Sequence, residues 1–328
     1  MLDRRQALSA TLAAGLAGRA VAQTPAPRAP AGPVAGDPSE TIDLWPGTAP
    51  GLPASPAAEV TTERSKDPAF HDRMVMGVTR PRLAVFRPAT ANGSALLVMP
   101  GGGYARMAID KEGYEIGRLL AARGWTVFVL FYRLPGEGWA NRQDVPLADA
   151  QRAMRLIRAR ADRYGIRSDR VGAMGFSAGG HLCGDLATRF NAQVYAPVDA
   201  ADRGSARPDI AAPIYAVQSM TLPLAHAGSR QLLLGKDASP ALEAAHSTAN
   251  NVSARTPPMF LVHAEDDQTV PVENSVRMRA ALKAAGVPVE THLFEHGGHG
   301  FGLRGAAGKP AAIWPELFVA WARSHGLG

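Results

Sequence analysis

The segment that most limits how this chain can fold runs from Val171 to Phe190. Its first six residues, Val171–Phe176, are apolar enough to form a buried strand, and Ala178–Phe190 carries a helical pattern. Between them lies Gly175-Phe176-Ser177-Ala178-Gly179. No loop residues are left over, so the strand must turn straight into the helix. Side chains at the flanks of so sharp a turn would collide, and glycine stands at both. A strand that feeds directly into a helix packed back over it is the building unit of a parallel sheet.

The rest of the chain repeats that rhythm. Leu83–Phe86, Ala95–Met99, Trp125–Tyr132, Ile210–Val217, Pro258–His263 and Val289–Phe294 read as strands. Glu112–Arg123, ended by Gly124, Pro146–Tyr164 and Val276–Ala285 read as helices, and Ile313–Ala322 as a last one with Ile313, Leu317 and Trp321 on one stripe. The expected class is α/β, with a mostly parallel central sheet covered by helices on both faces. Residues 218–256 break the alternation and are expected to form a short lid-like insertion over the sheet edge where ligands bind. Residues 24–58 hold nine prolines and read as a linker or arm, pinned by Ile42, Leu44 and Trp45. The expected domain is therefore residues 59–328, preceded by an arm over 23–58.

Composition limits the remaining choices. An apolar share of 46% over 328 residues suffices for one large core. The net charge of +6 is spread thinly, and no Lys/Arg block reads as a nucleic-acid footprint. Arg4 and Arg5, the apolar stretch Ala7–Ala17 and Ala20-Val21-Ala22 follow each other as in a twin-arginine-type signal peptide over residues 1–22. Export to the periplasm or beyond is expected. No later run of 18 apolar residues appears, so no membrane anchor is expected after processing. The lone Cys183 excludes an internal disulfide and sits in an apolar run, as a buried inert thiol would.

Four stretches carry chemistry. Ser177 in the G-x-S-x-G turn is the candidate nucleophile, exposed at a helix N-terminus. With 34 glycines the pentad could arise by accident, and the strand-to-helix setting is what gives it weight. Pro100-Gly101-Gly102-Gly103-Tyr104 follows a strand, and bare backbone N–H groups there can face a substrate oxygen; Gly102, Gly103 and Ala178 are the candidate oxyanion donors. After Pro258–His263 come Glu265, Asp266 and Asp267. Asp267, two residues before Val270-Pro271, is the preferred carboxylate for orienting a histidine, with Asp266 as its competitor. After Val289–Phe294 comes a glycine-rich loop with His296 and His299, of which His299 is the preferred general base. His71, His181, His226, His246, His263, His292 and His325 are read as structural.

The chain order Ser177, Asp267, His299 is that of α/β hydrolases. Together with KEG at Lys111–Gly113, YRLP at Tyr132–Pro135, GFSAGGH, the threonine and prolines before Met259, the Asp266–Ser275 segment and GGHGFG, it resembles the bacterial acetyl-xylan esterases and the feruloyl-esterase-like, dienelactone-hydrolase-related branch. The resemblance spans roughly residues 42–305 and includes Leu44-Trp45-Pro46-Gly47. It implies a serine carbohydrate esterase that removes acetyl or aryl-acyl groups from a small-molecule or polysaccharide ester. It also sets Lys111, Glu112 and Arg133 in the family pattern, and Glu112 with Arg133 is expected to form a structural ion pair.

The residues thus predict two-step acyl transfer without a metal or organic cofactor. Tyr104 is a candidate wall of the acyl pocket and Trp139 a candidate stacking face for a sugar, although ordinary packing suits both. A lactone hydrolase has the same triad. A prolyl-oligopeptidase-type peptidase also shares it, but residues 23–80 are too few for the propeller such enzymes add. An inactive carbohydrate-binding module on this scaffold is a reading of another class, opposed by the intact serine, acid and histidine.

Overall fold

Strand alternating with helix produces one large sheet and one small one in the computed structural model, which describes residues 36–328. The signal peptide expected over 1–22 lies outside the described residues. In chain order the strands are β1 (Thr41–Asp43), β2 (Val60–Glu63), β3 (Arg73–Met76), β4 (Arg82–Phe86), β5 (Ala95–Met99), β6 (Met107–Ala108), β7 (Thr126–Phe131), β8 (Val171–Phe176), β9 (Ala211–Ile214), β10 (Met259–Ala264) and β11 (Val289–Phe294). The helices are α1 (Glu115–Ala121), α2 (Val145–Ala159), α3 (Ser177–Arg189), α4 (Ala227–Leu234), α5 (Pro240–Ala245), α6 (Glu273–Ala284) and α7 (Trp314–Ser324).

The large sheet runs β1-β4-β7-β5-β8-β9-β10-β11, parallel from β7 onward and antiparallel at its β1 and β4 edge. Every residue of β5, β7, β8, β9 and β10 is buried, as expected for parallel strands covered on both faces. The carboxyl ends of β8, β10 and β11 therefore open on one edge, and each runs into a loop or helix carrying a candidate group.

Four expectations need correction. The arm over residues 23–58 is pinned by the buried Ile42, Leu44 and Trp45, whose Nε1–H donates to Asp149 at 2.8 Å, but it is not wholly outside the domain, because Thr41–Asp43 is an edge strand of the large sheet. An arm rich in proline still leaves three consecutive residues, 41–43, free to pair, which suits an edge. Glu112 does not pair with Arg133. The buried Arg133 guanidinium instead meets Asp149, at 2.8 Å from Nη2 to Oδ1, because α2 brings Asp149 under the end of β7. Trp139 offers no sugar platform: it is 4% exposed and covers one face of that guanidinium, 5.0 Å from its ring centre, while Trp45 packs at 5.3 Å. The last helix starts one residue later than expected, and its buried stripe is Trp314, Phe318 and Trp321, leaving Ile313 exposed.

Cys183 is buried, and burial pushes its thiol up to about 12, as suits a packing residue.

Candidate functional site

The turn between β8 and α3 is made by two close approaches. A side chain added at Gly175 would sit 2.0 Å from the carbonyl oxygen of Gly179, and one at Gly179 would sit 2.1 Å from that of Met99. Neither gap admits a methyl group. Ser177 between them has φ +53°, a left-handed conformation that a serine adopts only when its surroundings impose it. Gly179→Ala should therefore cost about 3 kcal/mol or more through overpacking. The check is thermal unfolding of the purified variant, and an unchanged midpoint would contradict the packing described.

The structure brings Ser177, His299 and Asp267 together. Ser177 Oγ lies 2.8 Å from His299 Nε2, and His299 Nδ1 lies 2.7 Å from Asp267 Oδ2. Asp267 Oδ1 accepts the backbone N–H groups of Thr269 and Val270, each at 2.9 Å. Burial raises the Asp267 carboxyl, but hydrogen bonds from His263 and His299 and the adjoining backbone donors outweigh it and hold the group well below the usual carboxylate range. Asp266 faces outward. Its Oδ1 accepts the N–H groups of Gly297 at 2.9 Å and Gly298 at 2.7 Å, which holds the loop in front of His299. His296 is exposed beside Asp266 and does not reach Ser177.

The glycine loop after β5 folds against the same turn. Gly101 N–H donates to Glu112 Oε2 at 2.9 Å. Among the described residues, the N–H groups of Gly102 and Gly103 have no hydrogen-bond acceptor. Ala178 stands in the first turn of α3, where N–H groups have no intrahelical partner. These three are the available donors at the turn. Tyr104 is 1% exposed, and its hydroxyl bonds His181 Nδ1 at 2.7 Å. It anchors the loop from beneath rather than presenting a face to substrate. Burial pushes the His181 imidazole down to about 4, so it is neutral, with Nε2 donating to the carbonyl of His246.

Two histidines read as structural turn out to adjoin the site. His263 ends β10 and lies 3.2 Å from Asp267 Oδ2 through Nε2, which also bonds the Val270 carbonyl at 3.0 Å. Its Nδ1 is 2.8 Å from Ser275 Oγ. An Nε2–H tautomer that accepts the serine proton satisfies all three contacts. His226 caps α4, with Nδ1 accepting Ser229 N–H at 3.2 Å. Its Cε1 would be 3.7 Å from a side chain at Gly103, so the 218–256 insertion does border the glycine loop. Burial and the nearby His299 push the His226 imidazole down. The end of α4 is fastened by Arg142, whose Nε donates to the Leu232 carbonyl at 3.1 Å. In sequence both histidines lack a glycine-rich or motif setting; only the position of His263 at a strand end hinted at its place.

Chemically, an imidazole oriented by a buried carboxylate can take the Ser177 proton, beside N–H groups able to receive a developing negative oxygen. Among the described residues no cluster of three or more His, Cys, Asp or Glu side chains could hold a metal ion.

Several known proteins are similar to this chain. The chain is 33% identical over 228 residues to an acetylxylan esterase of Xylanibacter ruminicola, a match that covers 68% of this chain and 44% of that protein. It is 37% identical over 213 residues to endo-1,4-beta-xylanase B of Butyrivibrio fibrisolvens, covering 62% and 32% respectively. The chain thus spans less than half the length of these two relatives. The crystal structure of an acetyl ester-xyloside bifunctional hydrolase from Caldicellulosiruptor lactoaceticus superposes with a TM-score of 0.74 at 35% identity, over 89% of this chain and 98% of that one. An α/β hydrolase from a deep-sea metagenome, 22% identical with a TM-score of 0.55 over 82% and 98%, shares the fold. The BD-FAE family model matches residues 83–282, well over half of the sequence and running from the second residue of β4 to within two residues of the end of α6, and the chain belongs to the BD-FAE family on the α/β-hydrolase fold.

Proposed function

We propose that the chain is a serine hydrolase of carboxylic esters, and that its substrates are plant polysaccharides, or their fragments, that carry acetyl or aryl-acyl groups. One observation supports the chemistry above the rest: the unbroken line Ser177–His299–Asp267, at 2.8 and 2.7 Å, beside N–H groups of Gly102 and Gly103 that have no other acceptor. In the first step Ser177 Oγ attacks the ester carbonyl while its proton passes to His299 Nε2. The carbonyl oxygen becomes an oxyanion and accepts from Gly102, Gly103 and Ala178. The alcohol leaves with the proton from His299. Water, deprotonated by the same nitrogen, then frees the acid from Ser177. No step needs a redox change, so the balance closes without a cofactor.

The carbohydrate side of the proposal draws on relatives named for acetylxylan and xyloside chemistry. Release of acetate from acetylated xylan, of ferulate from feruloylated arabinoxylan, and turnover of short p-nitrophenyl esters by the pure protein test it together. Acetate release from xylan with weak ferulate release supports an acetyl-xylan esterase. Turnover of p-nitrophenyl esters alone would confine the proposal to ester hydrolysis, and no turnover of any ester would favour an inert module.

The insertion over 218–256 borders the glycine loop through His226 and is offered as a selectivity element. Shortening α4, or His226→Ala, is expected to shift preference among acyl and alcohol groups about tenfold while p-nitrophenyl acetate turnover stays within a few-fold. Unchanged ratios across such a panel would remove the insertion from substrate choice.

A further inference from the structure

Glu112 is 3% exposed, and both its oxygens are used within the site. Oε2 accepts Gly101 N–H at 2.9 Å, and Oε1 accepts the Tyr215 hydroxyl at 2.9 Å. The Tyr215 oxygen in turn accepts Gly302 N–H at 3.1 Å. Gly101 opens the loop that supplies the amide donors, and Gly302 follows His299 by three residues. One carboxylate and one phenol therefore bridge the two loops that must meet across Ser177.

The bridge lies against the reacting groups. A side chain added at Gly101 would come within 2.6 Å of Glu112 Oε2 and 3.0 Å of Ser177 Cβ, and one at Gly300 within 3.6 Å of Glu112 Oε1. The Tyr215 ring packs edge-on to His299, with centroids 5.4 Å apart, and to Phe301 at 4.7 Å. Tyr215 has φ +34°, a strained value that persists only where surroundings fix it. Both ends of the bridge are anchored. Glu112 sits in the wide helical turn Asp110–Tyr114, whose Asp110 is gripped by Arg73 through its backbone N–H at 2.6 Å and its guanidinium. Gly302 is held again through its carbonyl by Trp314 Nε1–H at 2.9 Å.

Resting on the ester-hydrolase reading above, we propose that Glu112 and Tyr215 are positioning residues that set the spacing between the oxyanion donors and His299. They touch no substrate. Their work is to make the amides of one loop and the imidazole of the other arrive together, since small misplacement of either is costly to rate. Acylation and deacylation each form a tetrahedral oxyanion at the same amide donors and use the same imidazole, so both steps depend on the bridge.

The experiment is kinetics of Glu112→Gln, Tyr215→Phe and the double variant on p-nitrophenyl acetate, beside wild type and Ser177→Ala. Each single variant is expected to lower kcat roughly 10- to 100-fold with KM within about twofold, and to slow pre-steady-state acylation and deacylation alike. Because the two residues act as one unit, the double variant is expected to lose no more than the worse single one. A merely structural role would lower the amount of folded protein but leave kcat per folded molecule at the wild-type value. Should Glu112→Gln fail to fold, Tyr215→Phe, which removes one oxygen, carries the test alone. Wild-type kcat in either folded variant, or losses that multiply, would overturn the inference. An active wild type with undiminished variants defeats this inference only, whereas a wild type silent towards every ester defeats the hydrolase reading and this inference with it.

Discussion

Replacing Ser177 with alanine is expected to lower ester turnover by a factor on the order of 10⁴ to 10⁶, leaving only what bare amide donors and binding can supply. The expectation follows from the position of one atom. Ser177 Oγ is the oxygen at 2.8 Å from His299 Nε2, and alanine removes it without adding or moving a carbon. The backbone cost of φ +53° is the same for both residues, since each carries a Cβ. Burial is unaffected, for the site is already closed to all but 9% of the serine surface. The melting temperature should therefore stay within a few degrees of wild type. Initial rates on p-nitrophenyl acetate, with circular dichroism of the same samples, measure both halves. A well-folded variant that keeps more than about a hundredth of wild-type kcat would take Ser177 out of the mechanism.

Where the sequence could be read, short-range chemistry made it so. The strand, turn and helix around Ser177 follow from their own residues, and Gly175 answers to the Gly179 carbonyl within the turn, although Gly179 itself makes room for Met99 and Pro100 at the end of β5. The same holds for the loops after β10 and β11, whose candidates are set by their place at a strand end. What escaped was set by long-range meetings. Glu112 and Arg133 carry opposite charges and lie 21 positions apart, yet α2 delivers Asp149 to Arg133 first, and Glu112 is left to bind neutral donors. His226 looked like any lone histidine until α4 set it beside Gly103. Trp139 packs, as its ordinary reading had it; that an indole could also stack on a sugar is visible in sequence, whereas the guanidinium that occupies its face is not. The arm followed the same logic: its prolines advertise a linker, while the edge of β4 that recruits Thr41–Asp43 lies some 40 residues further on.

The choice between the two adjoining acids yields a prediction of comparable size. Asp267→Asn is expected to lower kcat by about 10³ to 10⁴, and Asp266→Asn by less than about tenfold. In the wild type Asp267 offers acceptors on every side: Thr269 and Val270 N–H on Oδ1, and His299 Nδ1 and His263 Nε2 on Oδ2. An asparagine must give its one oxygen to the two backbone donors or to the two imidazoles. If the oxygen keeps the backbone, its NH₂ meets His299, which must then accept at Nδ1 and carry its proton on Nε2. That tautomer presents a hydrogen to Ser177 Oγ and can no longer take one. If the oxygen turns to the imidazoles instead, the Thr269 and Val270 N–H groups face an NH₂ in a buried place, and stability falls. Asp266 has no such bind, because its Oδ1 alone serves Gly297 and Gly298, and an amide oxygen can do the same. The pH dependence of unfolding adds a second reading. Asp267 is held below its unfolded value, so its stabilisation is fully present above the ordinary carboxylate range, around pH 4, and is lost as the pH falls below it. Asparagine does not titrate, so the variant's stability curve should flatten on that acid limb relative to wild type. Equal loss of kcat in the two variants, or a wild-type acid limb retained in Asp267→Asn, would move the orienting role away from Asp267.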